Sequence, residues 1–133
     1  MSLPSKVGTL KGTWSFAVNG GVQGVYDLGM ILPKNAFPLA LIVTTLIAPA
    51  SLGMATLTFG EVSTDNSPGT TVANAYGGSN FSIAIFNNPD YHQLPYSHAD
   101  IRTHTRELIM TIGVADLTDG SLLFSLTYST SQF

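Results

Sequence analysis

The sequence contains no cysteine. That excludes disulfides and thiolate metal sites, and it fits assembly in a reducing cytoplasm. Charge is scarce as well: 10% of the 133 residues are Asp, Glu, Lys or Arg, against about 25% in an ordinary soluble domain. A soluble monomer covers its surface with charge, so the shortfall points to a surface that meets other protein. The basic residues are Lys6, Lys11, Lys34, Arg102 and Arg106, with a net charge of −3. They form no cluster, which excludes the basic footprint of a nucleic-acid binder. No apolar run is long enough to span a bilayer. The most apolar stretch, residues 39–50, is too short and is bracketed by Pro38 and Pro49, so no membrane partner is expected. After Met1 the chain reads SLPSKVGTLKGTW, which lacks the apolar core of a secretory signal. Phosphate-binding loops, dinucleotide fingerprints and the G-x-S-x-G elbow are all missing. Gly77-Gly78-Ser79-Asn80 does not lie between a strand and a helix and reads as a turn. Neither an enzyme nor a cofactor is indicated.

What is present is alternation. In residues 106–128 Leu108, Met110, Ile112 and Val114 share one face. Leu122, Phe124, Leu126 and Tyr128 share another, with Ser and Thr opposite. This is the period of two of a β-strand. Asp119-Gly120 is a turn signal, so the two runs predict an antiparallel hairpin that anchors an all-β domain. Earlier in the chain, Trp14, Phe16 and Val18 alternate, and Asn19-Gly20-Gly21 closes the run. Further strands are expected over residues 22–32, 37–47, 54–59, 71–76 and 81–86. The 39–50 stretch is rich in β-branched residues and reads as a strand buried on both faces.

About eight short strands joined by turns, and no amphipathic helix, predict a single-domain β-sandwich. An eight-stranded jelly roll is the natural arrangement. Pro4, Gly8 and Gly12 break any pattern near the start. Residues 1–12 are therefore expected to form an N-terminal arm and residues 13–133 the domain.

Residues 87–104, NNPDYHQLPYSHADIRTH, are the longest irregular segment, and loops of this length usually carry interactions. His92, His98 and His104, with Asp90 and Asp100 nearby, are candidate ligands for zinc or another divalent ion. A spacing of six fits neither a strand pair nor a helical pair. Packing against a neighbouring protein is the better reading, and it makes Tyr91, His92, Tyr96 and His98 interface candidates, with Trp14 and Lys11. Asp116 and Asp119 have the chemistry for calcium or acid–base work, but turn formation alone explains them. Tyr26, Tyr76, Tyr91, Tyr96 and Trp14 are candidates for a sugar-binding face.

Three pieces carry a family resemblance. They are residues 25–36 (VYDLGMILPKNA), residues 55–60 (ATLTFG) with Asp65 after them, and residues 111–120 (TIGVADLTDG) with the closing run to Tyr128. In these the chain resembles the head decoration, or capsid cement, proteins of tailed phages. The resemblance implies a β-sandwich or jelly roll on the outside of the head. It also implies homotrimers at three-fold or quasi-three-fold positions, with the major capsid protein as partner. The alternatives are a carbohydrate-binding β-sandwich of a phage fibre or tail and, behind it, a small metal-dependent cupin-like enzyme using the three histidines.

Overall fold

The computed structural model describes residues 6–66, 68–86, 91–96 and 104–130. Eight strands follow one another: β1 (Lys6–Ser15), β2 (Gly24–Leu32), β3 (Phe37–Ser51), β4 (Thr56–Ser63), β5 (Thr71–Ser82), β6 (Tyr91–Pro95), β7 (Arg106–Gly113) and β8 (Leu117–Thr130). A single helical turn, α1 (Phe16–Asn19), follows β1, and a 3₁₀ turn, Ile83–Phe86, follows β5.

The strands form two four-stranded antiparallel sheets. The first has the order β1-β8-β3-β6 and the second β2-β7-β4-β5. Apart from the β4–β5 hairpin, every consecutive pair of strands switches sheets. This is the jelly roll, two interlocked Greek keys. The alternation explains it. Leu122, Phe124 and Leu126 of β8 and Leu41 and Val43 of β3 point inward from the first sheet. Leu108, Met110 and Ile112 of β7 and Leu57 and Phe59 of β4 meet them from the second. At one edge the sheets approach closely. A Cβ on Gly12 of β1 would stand 2.4 Å from the Leu28 carbonyl oxygen and 2.8 Å from the Met30 side chain, both on β2. Only glycine fits there.

Several expectations change. The runs of residues 106–128 are not a hairpin: β7 lies in the second sheet and β8 in the first. Asp119-Gly120 is inside β8, where Asp119 pairs with Ala50 of β3. Residues 16–18 are a helical turn, and the first strand lies before them. It covers Lys6–Ser15 and pairs with β8 from Lys6 onward, so residues 6–12 of the expected arm are a strand of the first sheet, while residues 1–5 lie outside the described residues. Residues 71–76 and 81–82 are one strand, β5, which bulges against β4. The irregular segment contains β6, paired with β3 from Ala40 to Thr44. The 39–50 stretch is buried on one face only, since Leu39, Leu46 and Ile47 are exposed.

Candidate functional site

Polar chemistry collects at the end of the sandwich where the β2–β3, β4–β5 and β6–β7 connections meet. Glu61 of β4 and Arg106 of β7 are both completely buried. Arg106 Nη1 lies 3.4 Å from Glu61 Oε2, and Nη2 donates to the Ala36 carbonyl at 2.6 Å. Tyr96 donates to Glu61 Oε2 at 2.7 Å and Tyr76 to Oε1 at 3.1 Å. The two tyrosine rings pack with centroids 5.3 Å apart, across a bridge that joins β5 to the residue after β6. Burial, and then the Glu61 charge and hydrogen bonds, hold both phenols protonated far above the usual tyrosine range. With no solvent access to Glu61 or Arg106, this knot fastens the two sheets and the β2–β3 turn together. Its parity in the sequence was legible: Glu61 follows Leu57 and Phe59, and Arg106 precedes Leu108 and Met110.

Beside it lies an exposed clasp. His104 Nδ1 is 2.7 Å from Asp65 Oδ1, the Thr105 N–H donates to Asp65 Oδ2 at 3.0 Å, and Lys34 Nζ stands 3.9 Å away. The Thr105 backbone bond, then His104 and Lys34, lower the Asp65 carboxyl below its ordinary range against some desolvation. A carboxyl lowered in the folded state stabilises above its unfolded pKa of about 4, and that contribution is lost as pH falls through the folded value. Asp65→Asn is therefore expected to lower Tm slightly at neutral pH, where the contribution is present in full, and to flatten its fall below about pH 4, so that the two proteins converge in acid. Thermal melts across that range check it, and an unaltered acid limb would refute the clasp.

On the outer face of the second sheet, Glu107 of β7 is hydrogen-bonded to Asp27 of β2. Partial burial and then the Asp27 bond and charge raise the Glu107 carboxyl. The β2–β7 register shifts between Asp27 and Ile31, and Ile31 pairs with Glu107.

The opposite end has a different character. The β1–β2, β3–β4 and β7–β8 connections are tied by Asp116. Its carboxylate accepts from the Gln23 N–H at 2.9 Å and its carbonyl from Ser51 Oγ at 2.7 Å, while Leu117 N donates to the Gly21 carbonyl at 2.7 Å. Around this hub Val18, Val22, Leu52, Met54 and Val114 are 66–98% exposed. Val114 also sits at φ 72°, a left-handed conformation that costs a β-branched residue about 1–2 kcal/mol. The charged groups described at this end, Asp116 and Asp119, already accept backbone hydrogen bonds, from Gln23 and Gly120.

The sequence-derived candidates scatter. Trp14 is in the core at 1% exposure, so it is not a surface residue, and with Tyr76 also buried no aromatic platform spans the scattered rings. Tyr96 belongs to the knot. Tyr91 is exposed on β6. His92 packs edge-on against Phe86 with centroids 5.2 Å apart. Lys11 is exposed on β1. His98 lies outside the described residues. His92 and His104 have separate partners, and among the described residues no three His, Asp or Glu side chains are grouped to hold a metal. No helix among them is long and apolar enough to cross a membrane.

No family model matches the chain, and no curated protein does. Solved structures do. A chain in the acid-stable capsid structure of Helicobacter pylori bacteriophage KHP30 aligns over 99% of this chain and 92% of its own, with a TM-score of 0.64 and 13% identity. Its fold is one found in phage capsids. A chain of the cyanophage Pam1 capsid asymmetric unit aligns over 98% of this chain and 92% of its own, with a TM-score of 0.63 and 14% identity. One from the capsid of Ralstonia phage GP4 covers 100% and 88%, with a TM-score of 0.62 and 16% identity. At these identities the likeness is one of fold. Near-complete coverage on both sides shows that the whole jelly roll is shared.

Proposed function

We propose that this chain is a non-enzymatic structural protein of a phage virion, a decoration or cement subunit. It binds the outside of the head between capsomers, as a homotrimer with the major capsid protein as partner. The observation that carries this reading is the apolar crown at the Asp116 end. Five large aliphatic side chains on three tied loops, one of them held in a strained conformation, form a surface unsuited to water. The full-length fold likeness to capsid chains supports the same reading. A sugar-binding role has no comparable support, because Trp14 and Tyr76 are inside.

The mechanism is mechanical. Each subunit buries its crown against shell protein, and symmetry repeats the contact. Leu52→Asp/Met54→Asp is expected to fold normally, since both side chains project into solvent. It is expected to bind heads on the order of 100-fold more weakly, the loss from two buried aliphatic contacts. Co-sedimentation with undecorated heads measures it. Wild-type occupancy by the variant would end the reading.

A further inference from the structure

A specific protein interface takes about 20–30 residues a side, and the five crown side chains are too few to make one alone. The exposed apolar surface does not stop at the crown. Three strands of the first sheet carry it onto that sheet's outer face. β1 leads into Phe16, β3 approaches Leu52 through Leu46 and Ile47, and β8 presents Leu123; these four side chains on the way are 38–56% exposed. The β3–β8 register shifts between Thr45 and Ile47, a bulge that leaves both Leu46 and Ile47 in solvent. The outward rows follow one another down the face: Ser15-Ser121-Ile47, then Thr13-Leu123-Thr44, then Lys11-Ser125-Ile42.

At the far end of this tract is a depression of about 210 Å³, lined by Lys11, Thr44, Leu123, Phe124 and Ser125. Leu123 gives it an apolar wall, Thr44 and Ser125 bring hydroxyls, and Lys11 supplies its charge. Among the described cations Lys34 faces Asp65 and Arg106 faces Glu61, while Lys11 makes no ion pair with a described residue. The three rows contain no carboxylate to meet it. On the second sheet the outward charges, Asp27 and Glu107, are instead hydrogen-bonded to each other.

We propose that the shell-binding surface runs from the crown down β3 and β8 to this depression. There Lys11 takes a carboxylate of the shell protein, and an aliphatic side chain beside that carboxylate fills the hollow. The inference rests on the decoration reading above and adds the partner's chemistry: an uncharged apolar surface under the crown, then one acidic residue next to an aliphatic one. β3 alone spans about 20 Å between Thr44 and Ser51. With the crown beyond it, the footprint approaches a standard patch of about 800 Å². A single charge pair at the border of an apolar contact fixes orientation and register.

Co-sedimentation of the purified full chain with undecorated heads tests it. Lys11→Glu is expected to bind on the order of 30-fold more weakly than wild type, Lys11→Met about 5-fold more weakly, and Lys11→Arg within about 2-fold of it. Ser125→Trp, which fills the depression, is expected to lose on the order of 10-fold. Ile31→Lys, exposed on the outer face of the second sheet, is expected to bind as wild type does. Thermal melts confirm that each variant is folded. If Ser125→Trp melts early, the Lys11 series decides alone. Wild-type occupancy by folded Lys11→Glu would overturn the assignment, and so would equal losses for Lys11→Glu and Ile31→Lys. If Lys11→Glu changes the mass of the free protein in light scattering and leaves head occupancy unchanged, the face belongs to a second copy and the assignment falls. Heads that lose Leu52→Asp/Met54→Asp but keep Lys11→Glu defeat this extension alone, whereas wild-type protein that ignores heads overturns the decoration reading and the extension together.

Discussion

Arg106→Met is expected to destabilise the fold by about 3–5 kcal/mol, because it leaves a buried charge with no counter-ion. A domain of this size has about 5–15 kcal/mol in total, so the variant is expected to be marginal at 37 °C. The partner of Arg106, Glu61, has no exposed side-chain surface, and water cannot take over the lost contact. The Ala36 carbonyl would lose its 2.6 Å donor as well, and a buried acceptor without a partner costs about 1–3 kcal/mol. The informative comparison is Glu61→Gln/Arg106→Met. It removes both charges, and the amide oxygen still accepts from one of the tyrosines. The double variant is expected to be more stable than Arg106→Met alone. Urea unfolding of wild type, both single variants and the double variant gives the coupling energy. A double variant that loses the sum of the single losses would show that the two charges do not act as a pair.

The knot explains why the candidate site was harder to read than the fold. Period-two alternation is local, and it located strands in most of the chain. Pairing is not local. The runs of β7 and β8 look like a hairpin because six residues containing Asp-Gly separate the two apolar stripes. The chain instead crosses between sheets, turning at Val114-Ala115-Asp116. Gly120 is needed for packing: a Cβ there would stand 3.0 Å from the Trp14 ring and 3.1 Å from Pro49 Cα. Turn glycine and packing glycine have the same letter.

Two shifts compensate in the strand count. Residues 71–76 and 81–86 read as separate strands because Gly77-Gly78 is a turn signal, yet both glycines sit at positive φ inside a bulged β5. The segment dismissed as irregular supplies β6, whose Tyr91-His92-Gln93 lacks an apolar stripe because it is a five-residue edge strand. Parity is the signal that was missed at the knot. Glu61 and Arg106 occupy inward positions of otherwise apolar strands, and a buried carboxylate demands a buried cation. Aromatic residues were misleading in the other direction. Trp14 was a candidate for a protein interface and a sugar-binding face, but it is buried, and Gly12 and Gly120 are small so that β1, with its indole, can pack closely.

Phe59→Ala is expected to cost about 3–5 kcal/mol, the range for deleting a buried aromatic side chain and leaving its cavity. Phe59 is fully buried on β4 and touches rings from both sheets. Its centroid lies 5.8 Å from Phe124 of β8, 6.0 Å from Phe86 in the 3₁₀ turn and 6.4 Å from Phe81 of β5. Edge-on and tilted aromatic pairs add about 0.5–1.5 kcal/mol beyond the area they bury, which places the change toward the upper end of the range. The site is poorly able to collapse, because its neighbours are rigid rings on separate elements. Phe59→Leu, which keeps most of the volume, is expected to lose clearly less. Tyr91→Ala, exposed on β6, is expected to stay within about 0.5 kcal/mol of wild type. Chemical denaturation of the three variants measures the order. If Tyr91→Ala matched Phe59→Ala, the stability of the domain would depend on the β6 edge rather than on contact between the sheets, and the Phe59 cluster would not be the centre of the core.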